Sequence, residues 1–396
     1  MKNFAIFSFS GKAPNKGGPI GYLWHLYSGF TSFEPDLLFI NNNETSVNVL
    51  GKQSSIKKPN RILYELKSIL SYFKKAYLVA KKYRGQLKQY QLIHVHESDS
   101  VFYLRLFCGY RGKIILTSHR PEPLANEVIN AARVKVPGRY MCLSAFLNYL
   151  ERYSYNHADG LIFPSPCAKA IYNDFPGFIQ YSKGKPVKFL TTGLNFKAST
   201  VNRAEFLSKY KLDINKDKKI ITYIGRHNLI KGYDRIIAAY PEIKQLNGVV
   251  IVAGAISEIK YPNEPDWIEL GYINDAMNLM AIADVVVIPN RNTYFDLVII
   301  EALSLGKIVV TSNTGGNIDI AKSTKGLYLF DNNVEGSCTE AIKHVLSMGV
   351  VERKDLEECS RRYYLENCTP KIFAENYLNA INDLLESLVS TKNGRV

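Results

Sequence analysis

Several absences narrow what this sequence of 396 residues can be. No run approaches the roughly 18 to 20 consecutive apolar residues that span a bilayer, so no segment is expected to cross one. The apolar run at residues 4–9 is too short for the core of a secretory signal, and residues 11–21 hold no small-residue cleavage site. That run is read as a first buried strand, in a chain expected in the cytoplasm. The six cysteines (Cys108, Cys142, Cys167, Cys338, Cys359 and Cys368) lack the short paired spacing of a zinc site or redox motif, and a chain this long needs no disulfide framework. All six are expected as reduced thiols. Short-period repeats and low-complexity tracts are also missing.

Carboxylates are scarce in one half only. Residues 1–195 carry 26 Lys and Arg against 11 Asp and Glu, a balance of +15, whereas residues 196–396 carry 24 against 25, a balance of −1. The first half is therefore expected to face something anionic: a membrane surface, a phosphorylated lipid or an acidic polymer. A merely solvated basic surface is the plain alternative. Between Arg61 and Arg84 a helical pattern sets Leu63, Leu66, Ile69, Leu70, Phe73, Tyr77 and Leu78 beside Lys67, Lys74, Lys75, Lys81 and Lys82. This suits either a helix lying on an anionic leaflet or a packed helix with a basic solvent face.

At this length a single core stops growing, and two domains of roughly 190 residues are expected, with a cleft between them. Short β-rich runs alternate with helical patterns, the signature of parallel sheets with crossover helices. Residues 5–9, 37–39, 92–96, 113–117, 160–163 and 187–191 read as strands in the first half, and 220–224, 249–253, 267–270, 285–289, 308–312 and 326–330 in the second. The expected fold class is α/β, with two Rossmann-like domains whose parallel sheets face a central cleft. The domains are placed at 1–195 and 196–370, followed by a segment at 371–396 whose helix either closes the second domain or crosses back onto the first. Hydrophilic residues 195–219 are expected as a linker containing a short helix at 203–209. Ligands of open α/β sheets sit beyond the carboxyl ends of the strands, so chemistry is sought in those loops.

The strand at 220–224 ends in Gly225-Arg226, and after four more residues Lys231-Gly232-Tyr233-Asp234 opens an amphipathic helix. A guanidinium at a strand end and an ammonium at a helix start converge where unpaired N–H groups and the helix dipole already favour an anion. Arg226 and Lys231 are thus candidates for a diphosphate clamp, against the blander reading of a surface ion pair. Further on, Thr293-Tyr294-Phe295-Asp296-Leu297-Val298-Ile299-Ile300-Glu301 leads through Gly306 to Gly315-Gly316. Glu301, placed near the start of a short helix, suits bidentate contact with vicinal ribose hydroxyls, or simply complements a helix dipole.

Together, Gly225-Arg226…Lys231-Gly232 and Phe295-x-Leu297-Val298-x-x-Glu301-Ala302…Gly306…Gly315-Gly316 resemble the retaining GT-B glycosyltransferases of family GT4, the glycosyl transferases group 1. The strands at 249–253 and 285–289 fit the same pattern, so the resemblance covers the whole second half. It implies a nucleotide-sugar co-substrate, a UDP-sugar foremost, and a site with neither metal nor bound cofactor. It places Arg226 and Lys231 on the diphosphate and draws donor contacts from Gly225, Thr293, Phe295, Asp296, Leu297, Val298 and Glu301. The chain has no Asp-x-Asp triplet, which speaks against the metal-dependent glycosyltransferase fold. One departure matters: the family usually carries a first glutamate eight positions before the second, and here Thr293 stands there, with Asp296 in place of the following glycine. Three outcomes stay open: a different donor sugar, partial substitution by Asp296, or reduced activity.

In the first half, Lys16-Gly17-Gly18-Pro19-Ile20-Gly21 separates the first strand from a helical run at 22–27. Glycines let backbone N–H groups approach a phosphate closely, and Gly17 and Gly18 match the place of the family's amino-terminal Gly-Gly loop, expected to close over the diphosphate. His119 follows the strand at 113–117, where the family places a histidine near the donor sugar; with Arg226 and Lys231 it completes the expected catalytic set. His94 and His96 alternate along one strand face and read as packed core histidines. The resemblance further implies retention of configuration, with the acceptor hydroxyl attacking from the face the diphosphate leaves and no obligatory carboxylate nucleophile. The acceptor it suggests is a saccharide or lipid-linked saccharide, in bacterial surface polysaccharide or glycoconjugate assembly, with peripheral contact to anionic membrane and no nucleic acid. Three rival readings remain: a GT-B fold that binds nucleotides without transferring sugar, a basic polyanion binder, and a nucleotide-sugar epimerase or phosphorylase.

Overall fold

The structure is a computed structural model describing residues 2–9, 11–14, 18–39, 61–131, 141–195, 201–255 and 259–393. Its contacts group into two units, one of Met1–Pro164, Lys169–Leu190 and Ala374–Val396, the other of Ser165–Ala168 and Thr191–Phe373.

In the first unit, β1 (Lys2–Ser8), β2 (Asp36–Phe39), β3 (Tyr90–Val95), β4 (Lys113–Leu116), β5 (Gly160–Phe163) and β6 (Val187–Phe189) form a parallel sheet in the order β2-β1-β3-β4-β5-β6. The strands lie within three residues of the apolar runs because helices cover both faces, and side chains on both faces must then be apolar. Around the sheet are α1 (Gly18–Tyr27), α2 (Arg61–Tyr83), α3 (Ser98–Phe102), α4 (Leu124–Ala131), α5 (Met141–His157), α6 (Pro166–Ala170, which opens in the second unit's segment) and α7 (Phe178–Ser182). Helix α2 buries Glu65, Ser68, Ala76, Val79 and Tyr83, a stripe at helical spacing. The Glu65 carboxylate accepts the Leu143 N–H at 2.9 Å, satisfying one of the donors left unpaired at the start of α5.

The second unit contains α8 (Arg203–Lys209), β7 (Lys219–Ile224), α9 (Tyr233–Gln245), β8 (Gly248–Ala253), β9 (Trp267–Glu269), α10 (Ala276–Ile282), β10 (Val285–Ile288), α11 (Leu297–Ser304), β11 (Val309–Ser312), α12 (Asn317–Ser323), β12 (Leu327–Phe330), α13 (Ser337–Ser347) and α14 (Val350–Asn367). Its parallel sheet runs β12-β11-β10-β7-β8-β9. Counted within the unit, this is the Rossmann order 3-2-1-4-5-6. Alternate residues enter opposite cores. Ile220, Val249, Ile251, Val286, Ile288 and Val309 pack with α8, α10, α11 and α14. Ile221, Tyr223, Val250, Val252, Val287 and Val310 pack with α9 and α13.

The stretch expected as a linker is, over its described part, built into this unit. Asn202 and Glu205 close a capping box at α8, Phe206 is fully buried, and Leu207, Tyr210, Leu212 and Ile214 pack against the same core. Its few apolar residues are spaced to share one side, which average hydrophilicity conceals. The last helix, α15 (Pro370–Asn393), buries Phe373, Tyr377, Ile381 and Leu384 at helical spacing. From Ala374 onward it groups with the first unit, where Tyr377 packs against Phe4 and Phe30.

Each sheet has one place where neighbouring strands lead their connections to opposite sides: between β1 and β3 in the first unit, and between β7 and β10 in the second. Such switch points leave a crevice beyond the strand ends.

Candidate functional site

At the second unit's switch point, β7 delivers Gly225 and Arg226, and β10 delivers Pro289 and Asn290. The loop from β7 into α9 is held rigidly. The Tyr223 hydroxyl donates to the Arg226 carbonyl at 2.7 Å and lies 3.4 Å from that of Lys231, and Asn228 Oδ1 accepts the Lys231 N–H at 2.8 Å. One buried tyrosine thus brackets the backbone under both cations. Gly232 has φ +67°, and a Cβ there would sit 1.9 Å from the Pro289 carbonyl oxygen, so only glycine lets the loop pass this close to β10.

The two cations differ. Arg226 is exposed, and among the described residues no carboxylate pairs with its guanidinium. Lys231 Nζ donates to Asp296 Oδ1 at 3.3 Å. Asp296 is buried and also accepts from Asn290 Nδ2 at 2.5 Å, so the residue standing at the family's glycine position has become the hub of a Lys231–Asp296–Asn290 network.

Thr293 is buried, and its carbonyl faces Gly315, where a Cβ would meet it at 2.1 Å and φ is +53°. Gly316 donates its N–H to the Tyr294 carbonyl at 3.0 Å and leaves room for the Phe295 ring, 2.6 Å from where its Cβ would be. The single loop that carries both glycines thus clasps the segment 293–295. Leu297 and Val298 form the first turn of α11, with Val298 packed on the core. Glu301 is the fifth residue of that helix, not a first-turn residue complementing its dipole. Its partly buried carboxylate has no partner among the described residues, and burial pushes it up to about 7. The segments around Lys231, Thr293, Asp296 and Gly315 are brought together; among the described residues no side-chain hydrogen bond or ion pair joins Arg226 or Glu301 to them, although Tyr223 links the Arg226 and Lys231 carbonyls.

In the first unit Gly17 lies outside the described residues, and Gly18 opens α1 with φ +64° and free space where a Cβ would be. His119 is partly buried beyond β4. Its Nε2 shares a proton with His96 Nδ1 at 3.0 Å, the two rings are stacked 5.3 Å apart, and the Tyr22 ring from α1 lies 4.9 Å away. Burial, with Arg120 beside it, pushes the His119 imidazole down to about 3, so it is a neutral hydrogen-bonding group at physiological pH. His94 and His96 are buried on one face of β3 as expected. His94 bonds Tyr377 Oη at 2.9 Å and Thr117 Oγ1 at 2.8 Å, whereas His96 Nε2 has no partner among the described residues.

The sequence family described as Glycosyl transferases group 1 matches residues 206–363, and the one described as Glycosyltransferase Family 4 matches residues 51–178. These are 158 and 128 residues, together 286 of the 396. The chain belongs to the group 1, family 4 glycosyltransferases. Over 176 residues it is 28% identical to an uncharacterized glycosyltransferase of Methanocaldococcus jannaschii, a match covering 41% of this chain and 45% of that one. The chain spans under half the length of this and the next curated relative it matches. The sucrose-phosphate synthase of Thermosynechococcus elongatus superimposes with TM-score 0.68 at 18% identity, covering 98% of this chain and 100% of that one. An α,α-trehalose-phosphate synthase (UDP-forming) of Burkholderia xenovorans, solved with glucose-6-phosphate, gives TM-score 0.65 at 13% identity, covering 96% and 100%. These likenesses show the GT-B fold.

Three residues of this GT-B chain went unmarked in its sequence. Glu97 closes the first unit's switch point: Ser8 Oγ donates to its Oε1 at 2.9 Å and the Phe9 N–H at 3.2 Å. Burial, reinforced by Asp99, pushes the Glu97 carboxyl up to about 7. Its position just past β3 was the available signal. Arg120 donates to Ser98 Oγ at 2.5 Å and pairs with Glu127 at 2.6 Å, and Asn290 holds Asp296; neither belongs to a pattern that a single sequence reveals.

Proposed function

We propose that the protein transfers a glycosyl group from a nucleoside-diphosphate sugar, a UDP-sugar foremost, to a saccharide or lipid-linked saccharide, with retention of configuration and without a metal ion. The observation that carries this reading is the unpaired Arg226 guanidinium on a loop pinned at the switch point of a Rossmann sheet. An exposed cation without a carboxylate partner, next to a helix start, fits the two charges of a diphosphate. In this reading Arg226 and Lys231 neutralise charge developing on the departing diphosphate. Preorganised contacts of this kind are worth roughly 10² to 10³ in turnover each. Glu301 accepts the ribose hydroxyls, and Gly225, Thr293, Phe295, Asp296, Leu297 and Val298 line the donor. His119, being neutral, offers the donor sugar a hydrogen bond without charge. That the similar trehalose-phosphate synthase of Burkholderia xenovorans is UDP-forming supports uracil as the base. A role in surface polysaccharide or glycoconjugate assembly rests on the family resemblance.

A donor screen tests the reading: hydrolysis or transfer is scored for each nucleotide sugar, with Glu301→Ala as control. Turnover of one donor, lost in the control, is expected. Because Asp296 already occupies Lys231 and Thr293 offers no carboxylate, a second reading is a GT-B protein that binds nucleotides without transfer. Calorimetric binding of UDP with no turnover of any donor would favour it.

A further inference from the structure

Helix α2 presents to solvent a stripe that the described residues of its unit do not cover. Ile62, Leu66, Leu70, Phe73 and Tyr77 recur at intervals of three and four residues and are 40–68% exposed. Leu63 widens the stripe, and at its edge the Phe73 ring meets those of Phe102, Phe107 and Phe146 at 5.7–6.3 Å. Monomeric proteins rarely leave so continuous an apolar face open.

The charge beside the stripe has one sign. Lys67, Lys74 and Lys81 are exposed, stand seven residues apart on adjoining positions of the helix, and make no ion pair or hydrogen bond with any described residue. Lys82 is engaged by the Phe39 carbonyl, and Lys75 lies over the Phe9 and Tyr72 rings. The lone acidic residue of α2, Glu65, is buried and occupied by the Leu143 N–H, so no carboxylate of this helix faces out.

The geometry points to a docking surface for an anionic lipid leaflet, in which Ile62, Leu66, Leu70, Phe73 and Tyr77 enter the acyl boundary while Lys67, Lys74 and Lys81 meet headgroup phosphates. A second copy of the chain fits less well, because two-fold pairing of this face sets lysine rows against each other. A polyanion without an apolar phase leaves the stripe unexplained. This inference deepens the lipid-linked acceptor of the proposed function but does not depend on sugar transfer, and its test uses neither donor nor acceptor.

The experiment is flotation of the full chain with vesicles of phosphatidylcholine alone, and of phosphatidylcholine with phosphatidylglycerol at about 7:3, at low and high salt. The protein is expected to float with the anionic vesicles only and to detach as salt rises. Replacing Lys67, Lys74 and Lys81 together by Gln is expected to weaken partitioning roughly a hundredfold, about fivefold per charge. Leu66→Ser with Leu70→Ser is expected to remove binding while the lysines remain. Both variants change exposed side chains, and an unchanged thermal midpoint certifies their fold. The inference is overturned by failure to float with anionic vesicles or by undiminished binding in both variants. A dimer in light scattering that the serine variant converts to monomer, without vesicle binding, overturns it equally. Vesicle binding without sugar transfer would leave it standing and remove the proposed function alone.

Discussion

The two switch points are built alike and charged oppositely to their surroundings. The first half of the chain carries +15, yet at the end of β1 and β3 stand a carboxyl pushed up to about 7 and three neutral imidazoles, and nearby Arg120 is committed to Glu127 and Ser98. The excess charge lies elsewhere, much of it on α2. The second half carries −1, yet at the end of β7 it offers Arg226 unpaired and Lys231 a few residues on. Net charge therefore locates neither site. A fold supplies the crevice, and individual side chains decide what it holds.

The contrast breaks most readily at Arg226. Arg226→Ala is expected to lower turnover about 10²-fold or more with little change in the unfolding midpoint, since the exposed guanidinium makes no hydrogen bond or ion pair with any described residue. Unimpaired turnover would remove the clamp assignment.

Glu301 gives a smaller, pH-dependent effect. Its carboxyl titrates near 7, so affinity for UDP is expected to rise as pH goes from 6 to 8 and the group becomes an acceptor for ribose hydroxyls. Glu301→Gln is expected to cost roughly tenfold in affinity at pH 8 and to flatten that part of the profile. An equally steep profile in the variant would assign it to the ligand phosphates alone.

Smaller again is the release of Lys231. Asp296→Asn removes the charge 3.3 Å from the ammonium and is expected to tighten UDP binding about fivefold. Tighter binding of UDP with weaker binding of the intact donor would assign Asp296 to the sugar.

The least change is expected at Glu97, and it concerns stability. A carboxyl held near 7 in the folded chain and near 4.3 when unfolded keeps an extra proton on the folded state between those values. Its contribution to stability is thus fully present below about pH 4.3, falls as pH rises towards 7, and is level beyond. Glu97→Gln is expected to flatten this decline in urea titrations, and an unchanged slope would place the titration elsewhere. The histidines act in the opposite sense: burial keeps His94, His96 and His119 neutral in the folded chain, while the unfolded chain protonates them near 6.5. Their contribution is full above that pH and is lost below it, so the Glu97 decline is read as the difference between the parent and Glu97→Gln.

Much of the fold was legible because its signals are local. All twelve strands coincide, within a few residues, with short apolar runs, since a parallel sheet covered on both faces demands them. Helix α8 coincides with the expected 203–209 to the residue, and the capping box of Asn202 and Glu205 that starts it lies within four positions of sequence. The same stretch shows the limit: read as a linker by its hydrophilicity, it buries Phe206 completely, because a core needs one apolar side, not an apolar average. At the candidate site, Arg226, Lys231 and Glu301 stood out by residue type at strand and helix ends. Glu97, Asn290 and Arg120 did not, since their meaning lies in the partners they meet.

The sequence by itself determined the strand and helix pattern, the glycines at 232 and 315 that let loops cross closely, and the family to which the chain belongs. Only the tertiary structure decided that Lys231 meets Asp296 across 65 positions, that Ser8 and Phe9 meet Glu97 across nearly 90, and that the stripe on α2 is left uncovered by the described residues. The division has one physical cause. Periodicity and caps act within a few residues of backbone, whereas a buried carboxyl's proton affinity and a cation's freedom depend on which distant segments the strand order brings alongside.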